Sequence, residues 1–245
     1  MGLWGKAERE RMQKWEQSHT GRYALEMERL LLFRLMSAWP RRRQRLLEVG
    51  CGTGFFLEAA WESGFSVSGL DASPAMLEAT RERLGCRADL HLGSAEHLPF
   101  RDKEYDFVMA LTVLECLEDA QAALSEACRV ARKGLLIGFL NPISVYYLTH
   151  GLPWPGVRKS LLRKARWISW PRLRCMLLRE VGPHPVLSRS VLPGPVSTWR
   201  NTRLCNAVNA RVYPPYFGAY QGVRVDFVGQ PVGTPLLGWA RQPAA

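Results

Sequence analysis

The sequence predicts an α/β fold: a mostly parallel sheet with helices on both faces. Three observations carry that expectation. Short apolar runs alternate with amphipathic stretches between residues 45 and 140, the pattern of successive strand–helix–strand units. Glycines occupy alternate positions, Gly50, Gly52 and Gly54, directly behind the first apolar run in LLEVGCGTGFF. Glu48–Gly54, Asp71, Gly93–Glu96 and Leu111–Val113 then fall at the carboxyl ends of successive runs, where open sheets of this kind bind ligands. A chain of 245 residues, 47% apolar and 22% charged, can bury a substantial core as one domain with a cap.

The elements follow in order. Residues 5–18 are polar and helical in character, and 22–39 set Leu25, Leu32, Leu35, Met36 and Trp39 close to a helical repeat. Pro40 and Arg41–Arg43 close this segment, so residues 1–44 are expected as a helical cap on a domain spanning 45–245. Leu46–Val49 predicts a buried strand and Thr53–Ser63 a helix stopped by Gly64. Phe65–Leu70 is the second strand. Pro74–Leu84 is a helix, with Ser73 as its N-cap and proline in its first position. Strands are expected at Asp89–Leu92, Tyr105–Leu111 and Gly134–Leu140, with a helix over Asp119–Ala131. Residues 141–170, rich in Pro, Trp and Arg, are expected as a lid or insertion. A helix restarts at Pro171 and stops at Gly182. Val186–Leu192 and Thr234–Arg241 are expected to pair antiparallel, and 193–232 is a second lid or insertion.

Charge is unevenly placed. Residues 1–150 carry a net −1 and residues 151–245 a net +12. Such a surface favours anionic partners, although a solvated basic face would look the same. In 151–182, basic residues interleave with Trp154, Trp167 and Trp170; a cap helix with arginines snorkelling around a tryptophan core is the first reading, an anionic membrane surface the second and nucleic acid the third. No apolar run reaches the ~18 residues of a membrane span, and the N-terminus lacks the apolar stretch of a secretory signal. MGLWGK begins like a myristoylation site, but Lys6 stands where Ser or Thr is wanted. The six cysteines form no CxxC pair, so free thiols in a reducing cytoplasm and no metal site are expected.

A glycine-rich turn from strand into helix lets backbone N–H groups approach a negatively charged group. The spacing here is G-x-G-x-G, with Phe55 where a dinucleotide loop places its third glycine, and no Lys-Ser/Thr follows as in a Walker loop. Asp71, 17 residues after Gly54, stands where a carboxylate can accept from both hydroxyls of a ribose.

The segments LLEVGCGTGFFLEAA, GLDASPAML, GSAEHLPF, YDFVMALTVLECLED and KGLLIGFLNPIS together resemble the class I S-adenosylmethionine (SAM)-dependent methyltransferases. They look most like the small-molecule group that includes ubiquinone- and menaquinone-biosynthesis enzymes. The resemblance covers roughly residues 15–182 and implies a Rossmann-like fold with a seven-stranded, mostly parallel sheet. It also implies roles in binding SAM, released as S-adenosylhomocysteine. Gly50, Cys51, Gly52 and Gly54 would approach its amino-acid end, with Glu48 beneath them. Asp71 would take the ribose, while Ala72 and Met76 flank the adenine. Ala95 would offer its N–H to the ring, with Ser94 beside it. Leu111 would present its carbonyl to the ammonium, and Thr112 and Val113 would line the methyl channel. Ser94 replaces the commoner Asp or Asn, and Cys116 replaces a frequent His or aromatic.

Methyl transfer needs alignment and exclusion of water above all; a base is needed only where the nucleophile must lose a proton. His150, Tyr23 and His19 are the candidate catalytic residues, the last two in a segment (Trp15, His19–Tyr23) that resembles one folding over the cofactor. His97 is expected at the surface, and Asn141 either orients a polar group or makes a turn. The leading expectation is a cytoplasmic methyltransferase for a small-molecule acceptor. An RNA methyltransferase and a SAM-binding regulator without turnover stand beside it, with a nicotinamide oxidoreductase disfavoured by the glycine spacing.

Overall fold

The computed structural model describes residues 5–152 and 165–227. In chain order it contains α1 (Lys6–Gln17), α2 (His19–Leu35), β1 (Arg45–Val49), α3 (Phe55–Glu62), β2 (Ser66–Asp71), α4 (Pro74–Leu84), β3 (Ala88–Leu92) and β4 (Tyr105–Leu111). There follow α5 (Ala120–Val130), β5 (Ala131–Leu140), α6 (Val145–His150), α7 (Trp170–Val181), β6 (Val186–Val191), α8 (Arg203–Asn209) and β7 (Tyr220–Asp226).

The seven strands form one sheet in the order β3-β2-β1-β4-β5-β7-β6. All neighbours from β3 to β5 pair in parallel, and β7 runs antiparallel to both β5 and β6. Period-two alternation divides the core between the sheet's faces. Leu46, Phe107, Met109, Leu136 and Tyr220 join one cluster with Leu31 and Leu35 of α2. Leu47, Val108, Leu135, Ile137 and Val223 join the other with Leu124 of α5 and Leu177 of α7.

Helix starts follow the side chains available. Ser73 Oγ accepts from Met76 N at 3.2 Å ahead of Pro74. Asp119 accepts from Gln121 N and Ala122 N, each at 3.0 Å. Ser18 accepts from Gly21 N at 3.0 Å and separates α1 from α2. The two N-terminal helices differ in what they bury. α1 has no buried residue and is held by charge: Arg9 meets Glu78 at 2.7 Å and Glu82 at 2.6 Å on α4, and Glu16 meets Arg83 at 2.7 Å. α2 buries nine residues and packs on the sheet at β7, where Gly222 leaves room for Leu31 and Leu35. Trp39 ends the segment by stacking on Phe107, centroids 4.2 Å apart, and donating from Nε1 to Asp226 Oδ1 at 2.8 Å.

One part of the chain departs from expectation. Residues 193–232 are not simply a lid, because Tyr220–Asp226 within them is the buried strand between β5 and β6. The antiparallel partner of Val186–Val191 is therefore β7; Thr234–Arg241, expected in that role, lies outside the described residues. The expected lid over 141–170 begins with the short helix α6, and its centre, with Trp154, lies outside the described residues.

Candidate functional site

The carboxyl ends of β1, β2 and β4 meet at the glycine loop. Gly50, Gly52 and Gly54 have φ of +69°, +54° and +78°, a region costly for any residue with a Cβ. Their surroundings differ. A Cβ on Gly50 would collide with the Val113 side chain, and one on Gly54 would stand 2.8 Å from Thr80 Cγ2. Nothing lies within 4 Å of the corresponding point on Gly52. Two of the three glycines thus accommodate the protein's own side chains, and only Gly52 faces open space. Val113, expected along the methyl channel, packs against the loop.

The loop is tied down on every side. Leu70 O accepts from Gly50 N at 2.7 Å and Cys51 N at 3.1 Å. Asp71 Oδ2 accepts from Gly52 N at 2.9 Å and Asp71 Oδ1 from Ser73 N at 2.8 Å. One carboxylate therefore bridges the β1 turn and the start of α4, and its remaining lone-pair capacity is open to a ligand hydroxyl. Burial raises the Asp71 carboxyl above its ordinary pKa, opposed by the N–H groups of Ser73, Gly52 and Ala72. Thr80 donates to Gly52 O at 2.7 Å and Arg83 to Thr53 O at 2.9 Å, while Thr53 hydrogen-bonds Glu16 of α1.

Glu48 lies under this loop, 2% exposed, with Oε2 lacking a hydrogen-bond partner. Burial, and then the charge of Asp71, hold its carboxyl well above the usual range. An orphaned buried carboxyl oxygen beside a left-handed glycine that faces open space is a fit for a ligand with a cationic amino-acid end. At the end of β4, Thr112 adopts φ +55° and donates its N–H to Gly138 O at 2.7 Å. A β-branched residue in this region carries strain of order 1–3 kcal/mol, which clusters at functional sites. Met76, Ala95 and Leu111 are buried around the site, Ala72 is exposed, and Ser94 is half-buried, accepting from Glu96 N at 3.2 Å. Cys51 is buried against Thr80, and burial pushes the Cys116 thiol up to about 12; both are inert as nucleophiles.

The three candidate catalytic residues are not gathered at one point. His19 is exposed at the first turn of α2, and Tyr23 donates its hydroxyl to Asn206 Oδ1 of α8 at 2.9 Å. His150 stacks on Tyr146 with centroids 4.5 Å apart and shares a 2.8 Å hydrogen bond with Thr149 Oγ1. Burial lowers its pKa, so it is neutral near pH 7. Asn141 is a turn residue, its amide spent on Tyr216 O, Gly218 O and Ile143 N at 3.0 Å each. His97 is exposed.

Two residues at the site had no sequence expectation. Glu28 of α2 is 9% exposed, and burial pushes its carboxyl up to about 8. Tyr220 of β7 is 1% exposed and its hydroxyl has no partner in hydrogen-bonding geometry. The signal for Glu28 was present: it is the charged residue between Leu25 and Leu32 on an otherwise apolar helical face. Tyr220 offered none, because its neighbours come from β5 and α2. Among the described residues no group of three His, Cys, Asp or Glu side chains is placed to hold a metal.

Comparison with known proteins bears on this site. The family described as "Methyltransferase domain" matches residues 47–138. Malonyl-[acyl-carrier protein] O-methyltransferase of Serratia marcescens is 38% identical over 96 residues, covering 39% of this chain and 37% of that protein. Phosphatidylethanolamine N-methyltransferase of Cereibacter sphaeroides is 30% identical over 152 residues, covering 56% of this chain and 72% of that one. The chain thus spans well under half of the first relative's length. A SAM-dependent methyltransferase of Thermotoga maritima, described as a possible histamine N-methyltransferase, superposes with a TM-score of 0.72 at 23% identity. It covers 91% of this chain and 98% of its own, a likeness of fold.

Proposed function

The chain belongs to the class I SAM-dependent methyltransferases, of the small-molecule group, and from that premise we propose that it methylates a small-molecule acceptor. The observation that carries this reading is the orphaned Glu48 carboxyl under a loop whose middle glycine faces open space at φ +54°. SAM, when bound, supplies a methyl group on a sulfonium, displaced in line by the acceptor's nucleophile.

The chain's own residues then bind and orient. Glu48 offers its free oxygen to an ammonium, with the Leu111 carbonyl beside it. Gly50, Cys51, Gly52 and Gly54 form the turn against which the amino-acid end rests. Asp71 keeps lone pairs for the ribose; Ala72, Met76, Ser94 and Ala95 border the adenine. Thr112 faces the methyl. Residues 1–44 act in this reading as a cap over the domain 45–245, in a cytoplasmic protein. In this reading His150, Tyr23 and His19 belong to the acceptor side, where the stacking of His150 and the hydrogen bond of Tyr23 suit shaping a pocket better than moving protons.

A surface partner belongs to the same proposal. Residues 141–225 carry thirteen Lys/Arg and one acidic residue, Glu180. Ile143, Leu148, Leu204 and Phe217 are exposed apolar side chains among them. An anionic membrane surface suits that combination.

Calorimetric titration with SAM, S-adenosylhomocysteine and NAD tests the core of the reading. The first two should bind and NAD should not, and Asp71→Ala should weaken SAM by at least about tenfold, ~1.4 kcal/mol. NAD binding, or SAM binding indifferent to Asp71→Ala, would overturn it. Binding without turnover on any acceptor would favour a regulator.

A further inference from the structure

The relatives named above carry names for O- and N-methylation, so the acceptor must be read from this chain's own residues. Resting on the reading just given, we propose that the acceptor site is built for a cation, a primary or secondary amine carrying an apolar group, held by Glu28 between the rings of Tyr220 and Tyr146.

Register places these groups together. Leu31 and Leu35 of α2 lie over Gly222 of β7, Leu35 Cδ1 at 2.5 Å from the point a Cβ would occupy there. Glu28 precedes them by three and seven residues on the same helical face. Tyr220 precedes Gly222 by two residues on the same face of the sheet. One turn back along α2 and one residue pair back along β7 therefore meet, bringing Glu28 over Tyr220. The Tyr220 ring covers Gly138, the residue whose carbonyl holds Thr112 N, and a Cβ there would collide with the phenol oxygen. Glu28, Tyr220 and Thr112 thus form a column rising from the carboxyl end of β4. Tyr146 joins it from α6, near enough to Glu28 for the carboxylate to raise its pKa, and stacks on Trp199 at 5.1 Å.

The chemistry of this column points one way. Burial alone raises the Glu28 carboxyl, with no hydrogen bond or opposite charge offsetting it, and a buried carboxylate without a partner is costly. The Tyr220 hydroxyl is fully buried against Gly138 with Thr112 beside it, and after burial the charges of Glu28 and then Glu115 raise its pKa further. Glu115 adds a buried carboxyl whose Oε1 accepts from Leu140 N at 2.8 Å and whose Oε2 is free. The imidazole stacked on Tyr146, His150, has its pKa lowered by burial, which disfavours its cationic form. An anionic acceptor would hold Glu28 and Glu115 in their neutral forms and gain no charge partner from either, whereas a cation beside them favours their ionised forms. A cation would meet carboxylate and aromatic faces together, the pairing that recognises ammonium groups. A carboxyl poised near 8 can also take the proton an ammonium must lose before its nitrogen attacks: one N–H bond breaks, one O–H bond forms, and the lone pair stays on nitrogen.

Three probes of matched size separate the possibilities: phenyltrimethylammonium, 2-phenylethylamine and 3-phenylpropionate. Each is titrated into the full chain saturated with S-adenosylhomocysteine. Both cations should bind, with the carboxylate at least tenfold weaker. Glu28→Gln should lose cation affinity at least tenfold while S-adenosylhomocysteine binds as before. Tyr146→Leu, which leaves every carboxyl in place, should weaken both cations severalfold, and it decides the matter if Glu28→Gln does not fold. Carboxylate binding equal to the cations, cation binding unchanged in both variants, or no probe binding to the saturated protein would overturn the proposal. Failure of S-adenosylhomocysteine itself to bind would instead overturn the methyltransferase reading on which it rests.

Discussion

Glu28 shows how one side chain can set a pH dependence for the whole protein. Its carboxyl is near 8 in the folded state and ordinary in the unfolded chain, so the folded state holds the proton more tightly. Stability from this group is complete below about pH 4.5 and is lost as pH rises through 8. Glu115, pushed by burial to about 7, acts in the same direction. Tyr146 and Tyr220, the titratable neighbours on α6 and β7, are both raised and stay neutral through this range. Glu28→Gln should therefore flatten the fall in melting temperature between pH 6 and pH 9. It should stabilise the protein at the upper end by roughly 1–3 kcal/mol. Parallel thermal melts of the two proteins across that range check this, and identical slopes would refute it.

Among the elements, the glycine loop separates packing from recognition. Gly50→Ala meets Val113 at φ +69° and should destabilise by about 2–4 kcal/mol through clash and backbone strain. Gly52→Ala meets nothing and should cost only about 1–2 kcal/mol of strain, yet weaken SAM at least tenfold. Melting curves and calorimetry on the two variants decide it; Gly52→Ala binding SAM like the wild type would mean the open space is not where the ligand rests. This loop, Asp71 and strands β1 to β5 were legible in the sequence because each depends on its own local pattern: an apolar run, a glycine spacing, a capping serine. β7 was not. Its sequence YQGVRVD carries Gln221 and Arg224 in a buried strand, and Arg224 is made tolerable by Asp226 at 3.0 Å and Leu35 O at 2.7 Å. Those partners come from the fold. Tyr220 was obscure for the same reason, and Glu28, although visible as a charge on an apolar helical face, gains its neighbour only from the packing of α2 on β7.

At the scale of the molecule, charge and apolar surface coincide. Asn141 binds Tyr216 O, Gly218 O and Ile143 N, which ties the start of α6, with exposed Ile143, to the segment that carries exposed Phe217. Tyr146 on Trp199 joins α6 to the segment ahead of α8, where Leu204 is 84% exposed. Arg200, Arg203 and Arg211 are exposed around it. The protein should co-sediment with phosphatidylglycerol vesicles and much less with phosphatidylcholine, and the binding should weaken in 0.5 M salt. Leu204→Glu combined with Phe217→Glu should abolish most of it. Equal binding to both vesicles, or binding untouched by the double substitution, would remove the membrane from the picture. No helix among the described residues is long and apolar enough to cross a bilayer.

The position of β7 also bears on how the chain is made. β5 is apolar and buried along most of its length, yet its outer edge pairs with a strand about 80 residues later. At ribosomal rates of about 5–20 residues per second, that edge waits roughly 4–16 s for its partner. Until Tyr220–Asp226 emerges, the nascent chain presents an unpaired hydrophobic strand, the template on which aggregation begins. A fragment ending before residue 220 keeps the whole glycine loop and never closes that edge, so it would be expressed as insoluble material.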